Sequence, residues 1–392
     1  MATRVLVAGG GIAAVELVVA LRKLAGERVE IEVLAPNDEL VYRPLLVAEP
    51  FGARAVHRFP LDEILADQQA TRRATPLAEV HDHAAVIADG QVLPYDALAI
   101  ATGALSAGSF PGALDFGEPA DVARFKELLA RLESGEFRRL AFALPHDLPT
   151  WPLPLYELAL MTAARVPKAE IVLVTPETAP LAMFGRAGSD AVAELLGRAG
   201  IELRIESGPD AFESGKLTLV SGESLAVDAV VAVPRLRVPP LPGVPQGEHG
   251  FIATDELSRV EGLDDVYAAG DVTAFPVKQG GVAVRQAQAA ATCIAAHAGA
   301  PVRPEPFEPV LRDVMLTGAA PSYLESAAGE SLSAESPLWW PPTKIADSYL
   351  VPYLLTRFQL AVAPAGERLV DLVSTGAVTG QPVPARPTRP IA

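Results

Sequence analysis

Apolar residues along this chain fall into short continuous runs that break at glycines, the pattern of buried strands delivering turns to one edge of a sheet. The clearest run is VLVAGGGIAAVE, Val5 to Glu16, in which four apolar residues meet three glycines and then small and apolar residues at helical spacing. It predicts a strand over 4–8, a helix from Ile12 to about Leu24 and a parallel strand over 29–35, together a βαβ opening. Gly9 and Gly11 occupy the first two positions of GxGxxG, where a turn tightens and a phosphate must approach without a Cβ in the way. Ala14 takes the third position, which serves helix-to-strand packing and tolerates a methyl group. The helix N-terminus, at Ile12 and Ala13, then points free amides at a dinucleotide pyrophosphate.

Two later runs repeat the strand-to-turn pattern. LPYDALAIATGA predicts a strand ending at Ala101, Thr102 and Gly103, and VYAAGDVTAF predicts one that brings Gly270 and Asp271 to its C-terminal edge. A helix follows from about Gly281 to His297 and stops at Gly299. The acidic residue that reads a ribose about 20 residues past the glycines is missing. Ala35 stands there, followed by Pro36, Asn37 and Asp38, so Asn37 or Asp38 is left to reach the ribose from the loop.

Composition narrows the field. A chain of 392 residues accommodates two domains and a further segment. A net charge of −16 argues against nucleic acid and anionic membrane surfaces as partners. No apolar stretch reaches the ~20 residues needed to span a bilayer, and Glu16 interrupts any leader-like core, so the sequence reads as a cytoplasmic protein with no transmembrane segment. Cys293 is the single cysteine, which excludes a redox cysteine pair and a cysteine metal site. His81 and His83 have strand spacing and would share a face, but no third ligand accompanies them, and no metal is expected.

In this order and spacing, GGGIAAVE, YDALAIATGA and VYAAGDVTAF resemble the three FAD motifs of the two-dinucleotide-domain flavoproteins, the group that includes pyridine nucleotide-disulfide oxidoreductases, type II NADH:quinone dehydrogenases and sulfide:quinone oxidoreductases. The resemblance covers residues 1 to about 300. It implies an α/β fold of two Rossmann-like domains, the second inserted in the first. FAD would be held by 1–112 and 245–305, an NAD(P)-binding-like domain would span 113–244, and 306–392 would cap the flavin side or form a homodimer interface. It also implies that Arg43 and Pro44 line the flavin and pyrophosphate, with Arg43 pairing a phosphate, and that Asp271 accepts a ribityl hydroxyl.

The chain departs from that family in the insert. A strand over Leu140–Leu144 leads not into glycines but into PHDLPTWPLPLYELAL; with Glu157 aligned to Glu16, the glycine positions hold Thr150, Pro152 and Leu155. Pro145, Pro149, Pro152 and Pro154 remove amide donors, which argues against ordinary NAD(P)H binding. His146, Asp147 and Trp151 instead suggest a pocket remodelled for another donor, with His146 as a proton relay. The expected chemistry is two-electron transfer between a small redox substrate or quinone and FAD. Lys278, one of six lysines, and the helix start at Gly281 would stabilise negative charge on the reduced ring. An NAD(P)H:quinone or other acceptor reductase, and a non-catalytic flavin-binding subunit, are the alternatives. The aromatic run holding Trp339, Trp340, Tyr349, Tyr353 and Phe358 would pack on the flavin side or at a dimer; peripheral membrane contact is the weaker use.

Overall fold

The computed structural model describes residues 2–52, 57–146, 150–327 and 329–360. Thr3–Ala8, fully buried over its last four residues, forms the centre of a five-stranded parallel sheet. It pairs on one side with Val29–Leu34 and on the other with Ala97–Ile100; Ala70–Arg73 and Val266–Ala268 complete the edges. Ala97–Ile100 is apolar and buried throughout, as a strand covered on both faces requires, whereas Val29–Leu34 carries Glu30 and Glu32 on one face. One covering layer is the pair Ile12–Ala25 and Gly280–His297, which share a core rich in alanine, including Ala14, Ala287, Ala290 and Ala291.

A second five-stranded parallel sheet has Arg139–Ala143 at its centre, between Ala229–Ala232 and Glu170–Val174, with Leu114–Asp115 and Glu202–Arg204 outside. All its strands fall in sequence between Ala97–Ile100 and Val266–Ala268, so the second Rossmann-like unit is inserted in the first. Each unit also carries a three-stranded antiparallel meander, Leu77–His81, Ala84–Ile87 and Val92–Pro94 in the first and Pro209–Glu213, Lys216–Leu219 and Ser224–Ala226 in the second. His83 lies at φ +50 in the tight turn of the first meander, outside its strands, so the expected shared face with His81 does not exist. Among the described residues no group of three or more His, Cys, Asp or Glu could hold a metal ion, and no helix is long and apolar enough to cross a membrane.

After the second sheet-completing strand the chain forms an antiparallel sheet, Leu311–Met315, Ser322–Ala327 and Glu330–Ala334, and a short helix, Leu350–Arg357. Two glutamates at the same place in the two Rossmann units hold this segment. Glu16 and Glu157 are each the fifth residue of the helix after the turn, and both are fully buried. Glu16 accepts the Tyr349 and Leu350 N–H groups at 2.8 Å and Gln288 Nε2 at 2.6 Å, so it caps the last helix. Glu157 accepts Leu316 N–H at 2.8 Å and Lys344 Nζ at 2.6 Å. Glu16→Ala is expected to lower stability by about 1–3 kcal/mol, the cost of stranding buried donors, and to open 345–360 to protease; a variant with unchanged melting and cleavage would contradict this docking role.

Three of the C-terminal aromatics take part in this docking. Phe358 packs on Phe59 with ring centroids 4.9 Å apart, Lys23 sits over Tyr349, and Tyr353 donates to Asp67 at 2.7 Å. Trp339 meets Tyr323 edge-on. Described residues of this segment do reach the cleft below, but they are Asp313, Lys344 and Ile345. None of these aromatics borders the cleft: Tyr349, Tyr353 and Phe358 pack on the first unit, Trp339 on the terminal sheet, and Trp340 is exposed.

Candidate functional site

A cleft of ≈ 560 Å³ opens where the C-terminal edges of both sheets and the terminal segment meet. Its long wall is the first unit's glycine turn. Gly9 has φ +129, and a Cβ there would stand 2.1 Å from the Ala101 carbonyl oxygen, so only glycine lets the two strand ends touch. Gly11 differs in kind: a Cβ there would meet nothing within 4 Å and would project into the space a ligand needs. The helix begins at Ile12 with no side-chain cap and no acidic residue in its first turn, and its first internal bond is Val15 N–H to Gly11 O. The Ile12, Ala13 and Ala14 amides thus have no partner within the helix. Ile12 and Ala13 border the cleft; Ala14, fully buried, does the packing expected of the third fingerprint position.

A second helix start borders the same cleft. Gly280–His297 also lacks a side-chain cap, its first internal bond being Ala283 N–H to Gln279 O. Gly280 and Ala283 line the cleft; Gly281, the expected position, lies one residue deeper, packed against the Gln279 side chain. Gly270 lines it too, at φ +83, its N–H donated to the buried Gln286 Oε1 at 2.8 Å. Two unsatisfied helix starts converging on one concavity form a place for anionic and electron-rich groups.

Around these starts the cleft is bordered by Ala35, Pro36, Asn37, Arg43, Pro44, Ala101, Thr102, Gly103, Asp271 and Lys278, all expected from the sequence. Asn37 reaches it while Asp38 does not; the nearest acid on this wall is Glu39, unforeseen and paired with Arg58 at 3.2 Å. Arg72 shapes this corner by holding the Ala35 and Asn37 carbonyls at 3.3 and 3.4 Å while gripping Asp62 with both ends of its guanidinium. Arg43 pairs with Glu118 of the insert at 2.9 Å. Its charge is therefore shared with a carboxylate across the cleft mouth.

Lys278 is buried beneath this surface. Its ammonium donates to the Asp271 carbonyl at 3.2 Å and to the Thr273 carbonyl, and lies 3.9 Å from the Phe251 ring centroid. Burial pulls its pKa down to about 8, against the opposing pull of Asp271. Burial raises the Asp271 carboxyl, with Lys278 and Arg43 pulling it back.

At the inner end lies a cluster that the sequence did not reveal. Lys344 Nζ bridges Glu157 at 2.6 Å and Asp313 at 3.3 Å, with all three side chains at most 5% exposed. Gln279 Nε2 donates to Asp313 at 3.2 Å and to Arg312 O at 2.7 Å. Burial pushes Glu157 up to about 7 despite the Lys344 charge, and raises Asp313 for the same reason. Glu157 Oε2 and Gln279 Oε1 are buried without a hydrogen-bond partner. All four residues border the cleft. Each comes from a different part of the chain, so no local spacing could announce the group; the one signal was Glu157 at the place of Glu16.

From the insert, Phe116, Thr150, Trp151, Pro154 and Val233 face the cleft. Trp151 is thus where the remodelled loop was expected to place it. His146 is not: it is exposed at the end of the second sheet's central strand, its ring beside Gly208, and it does not line the cleft. The strand carries it past the cleft edge, so a proton-relay role there is withdrawn. Asp147 and Pro149 lie outside the described residues.

Residues 156–292 match the family model for pyridine nucleotide-disulphide oxidoreductase. The sulfide:quinone oxidoreductase of Aquifex aeolicus is superimposable with a TM-score of 0.75 at 16% identity, over 85% of this chain and 87% of that one. The fold is that of the pyridine nucleotide-disulphide oxidoreductases. Other solved structures with this fold include NDH2 from Plasmodium falciparum in complex with NADH, with a TM-score of 0.65 at 13% identity over 85% of this chain and 92% of that one. A ferredoxin reductase from Rhodopseudomonas palustris gives a TM-score of 0.62 at 18% identity over 84% and 90%. No curated protein matches the chain in sequence. In this chain the second turn holds Thr150, Pro152 and Leu155 where the first turn holds Gly9, Gly11 and Ala14.

Proposed function

We propose that this chain is an FAD-dependent oxidoreductase that passes two electrons through a non-covalently bound flavin, with a donor that no standard NAD(P)H glycine loop holds. The carrying observation is the cleft in which two uncapped helix starts converge beside an open Gly11 cradle. A pyrophosphate fits the first start, and a ring that gains negative charge fits the second, backed by Lys278. The division into 1–112 with 245–305 for FAD, 113–244 as insert and 306–392 as terminal segment belongs to this reading. Bound FAD would supply the electron transfer itself. The chain's residues do the rest. Leu46, Val47, Phe116, Trp151 and Val233 make part of the cleft wall apolar, Lys278 supplies positive charge, and Glu157, its carboxyl pushed up to about 7 by burial, stands at the cleft's inner end where it can exchange a proton near neutral pH.

The test is the visible spectrum of the purified protein under anaerobic conditions before and after NADH and then NADPH. Oxidised-flavin bands that persist with both are the expected result; bleaching within seconds would establish a nicotinamide-dependent reductase, and a colourless protein unable to take up FAD would refute the flavin. A quinone is the acceptor the apolar wall favours, in keeping with the likeness to the sulfide:quinone oxidoreductase of Aquifex aeolicus. Lys278→Met is expected to lower the flavin midpoint potential by roughly 30–60 mV, about 30 mV for each tenfold loss of preference for the reduced form. Because Lys278 loses its proton above about pH 8, the wild-type potential should fall more steeply with pH beyond that point than the variant's. Spectroelectrochemical titration across pH 6 to about 9 reads both; parallel curves would remove Lys278 from charge control.

A further inference from the structure

A dinucleotide on a Rossmann unit lies across the ends of its first two strands, pyrophosphate on the turn and adenosine ribose on an acid just past the second strand. In the first unit both places border the cleft, through Gly9 and Gly11 at the turn and Ala35, Asn37 and Glu39 past Val29–Leu34. The insert is different. Its turn borders the cleft through Thr150, Trp151 and Pro154, but no residue between Glu157 and Val233 does, so the cleft never reaches the end of Glu170–Val174.

The ribose-reading acid is nevertheless present. Glu177 stands three residues past that strand, and the chain consumes it. Tyr156, fully buried, donates its hydroxyl to Glu177 Oε2 at 2.5 Å, and Thr175 Oγ1 donates to the same oxygen at 2.9 Å. The Leu181 and Ala182 amides also hydrogen-bond the carboxylate. Leu153, Leu155 and Leu181, each fully buried, belong to the same apolar core as Tyr156. At the turn, Pro152 and Pro154 carry no N–H, and the Leu155 N–H is spent on the Pro152 carbonyl at 2.9 Å. A ribose would have to compete for Glu177 with the Tyr156 and Thr175 hydroxyls and the Leu181 and Ala182 amides already bound to it.

We infer that the insert's nucleotide site is filled by the chain's own Tyr156 and Glu177, so that this protein draws its electrons from a donor carrying no adenine nucleotide. The second half of this rests on the flavin reading above; the first half stands on the insert alone. Phenol and carboxylate occupy what a nucleotide would otherwise bring together, and the insert is left to wall the cleft with Trp151 and to present Glu157.

Hydrogen–deuterium exchange of the FAD-saturated protein, with and without NADH or ADP-ribose at about 1 mM, the upper end of ordinary KM values, locates any binding. Exchange over 150–182 is expected to be unchanged by either nucleotide, and equilibrium dialysis of the same protein is expected to give no bound nucleotide beyond the FAD. Protection of 150–182, or a bound equivalent of NADH, would overturn the inference. FAD added to stripped protein should separately protect Gly9 to Glu16. If that protection fails, the proposed flavoprotein function falls while the result over 150–182 still decides the state of the insert.

Discussion

Gly9→Ala is expected to yield protein that is largely insoluble and, in any soluble fraction, colourless. The position has φ +129, and the added Cβ would fall 2.1 Å from the Ala101 oxygen, a backbone atom that cannot rotate away. Ala101 is itself fixed there by its N–H bond to Ala8 O at 2.7 Å, which continues the pairing of the two strands. A side chain in such a backbone conformation costs about 1–3 kcal/mol before any clash, and relieving the clash means parting strands at the centre of the first sheet. Set against a typical stability of about 5–15 kcal/mol, the loss is large. Gly11→Ala makes the contrast, because its Cβ enters open space. That variant should keep the wild-type melting temperature of the FAD-free protein and bind FAD more weakly. Thermal melts with and without FAD separate the two, and equal effects of the two substitutions would show that the turn has been misread.

Lys344→Met should be the most damaging change at the inner end of the cleft, lowering stability by about 3–5 kcal/mol, the usual cost of removing one partner from a buried ionic group. The lysine is what permits Glu157 and Asp313 to sit together almost without water. Without it, both carboxyls must be protonated to remain buried, so the defect should depend on pH. Glu157 already has its folded pKa raised to about 7 from 4.5. The folded state thus holds more protons than the unfolded one between those values, and stability falls as pH rises through that window. Loss of the Lys344 charge raises both carboxyls further, so the variant should recover toward wild type as pH drops from about 7 to about 5. A second change, Glu157→Gln, should restore part of the stability at neutral pH by removing one buried charge. Urea unfolding at several pH values measures both. A deficit independent of pH would mean that Lys344 contributes packing rather than charge.

The glycine turn, the strand ends at Ala101 to Gly103 and at Gly270 and Asp271, and the helix after Lys278 were legible because each depends on a local rule. A strand that must turn sharply against a ligand needs glycine within a few residues, and apolar runs report burial directly. The same rule exposed the insert's lost turn, since Thr150, Pro152 and Leu155 are read in place. His146 misled because proximity along the loop says nothing about which side of a sheet edge a side chain leaves from. The aromatic run could not be placed from sequence because large rings suit a ligand, a dimer or an internal contact alike, and the docking of Tyr349 and Leu350 on Glu16 brings part of the run onto the first unit.

Short-range sterics and strand burial thus made the first βαβ unit and the residues of its turn readable along the chain, whereas the second, inserted Rossmann-like unit was implied by the resemblance of three motifs to a flavoprotein family. The folded chain alone shows that Lys344 joins Glu157 to Asp313 across 187 and 31 positions of chain, that Arg43 meets Glu118, and that Tyr156 closes on Glu177. Each pairing joins groups that lie far apart along the chain, and the energetics of the Lys344 group depend on the near exclusion of water around it, which no spacing along the chain records.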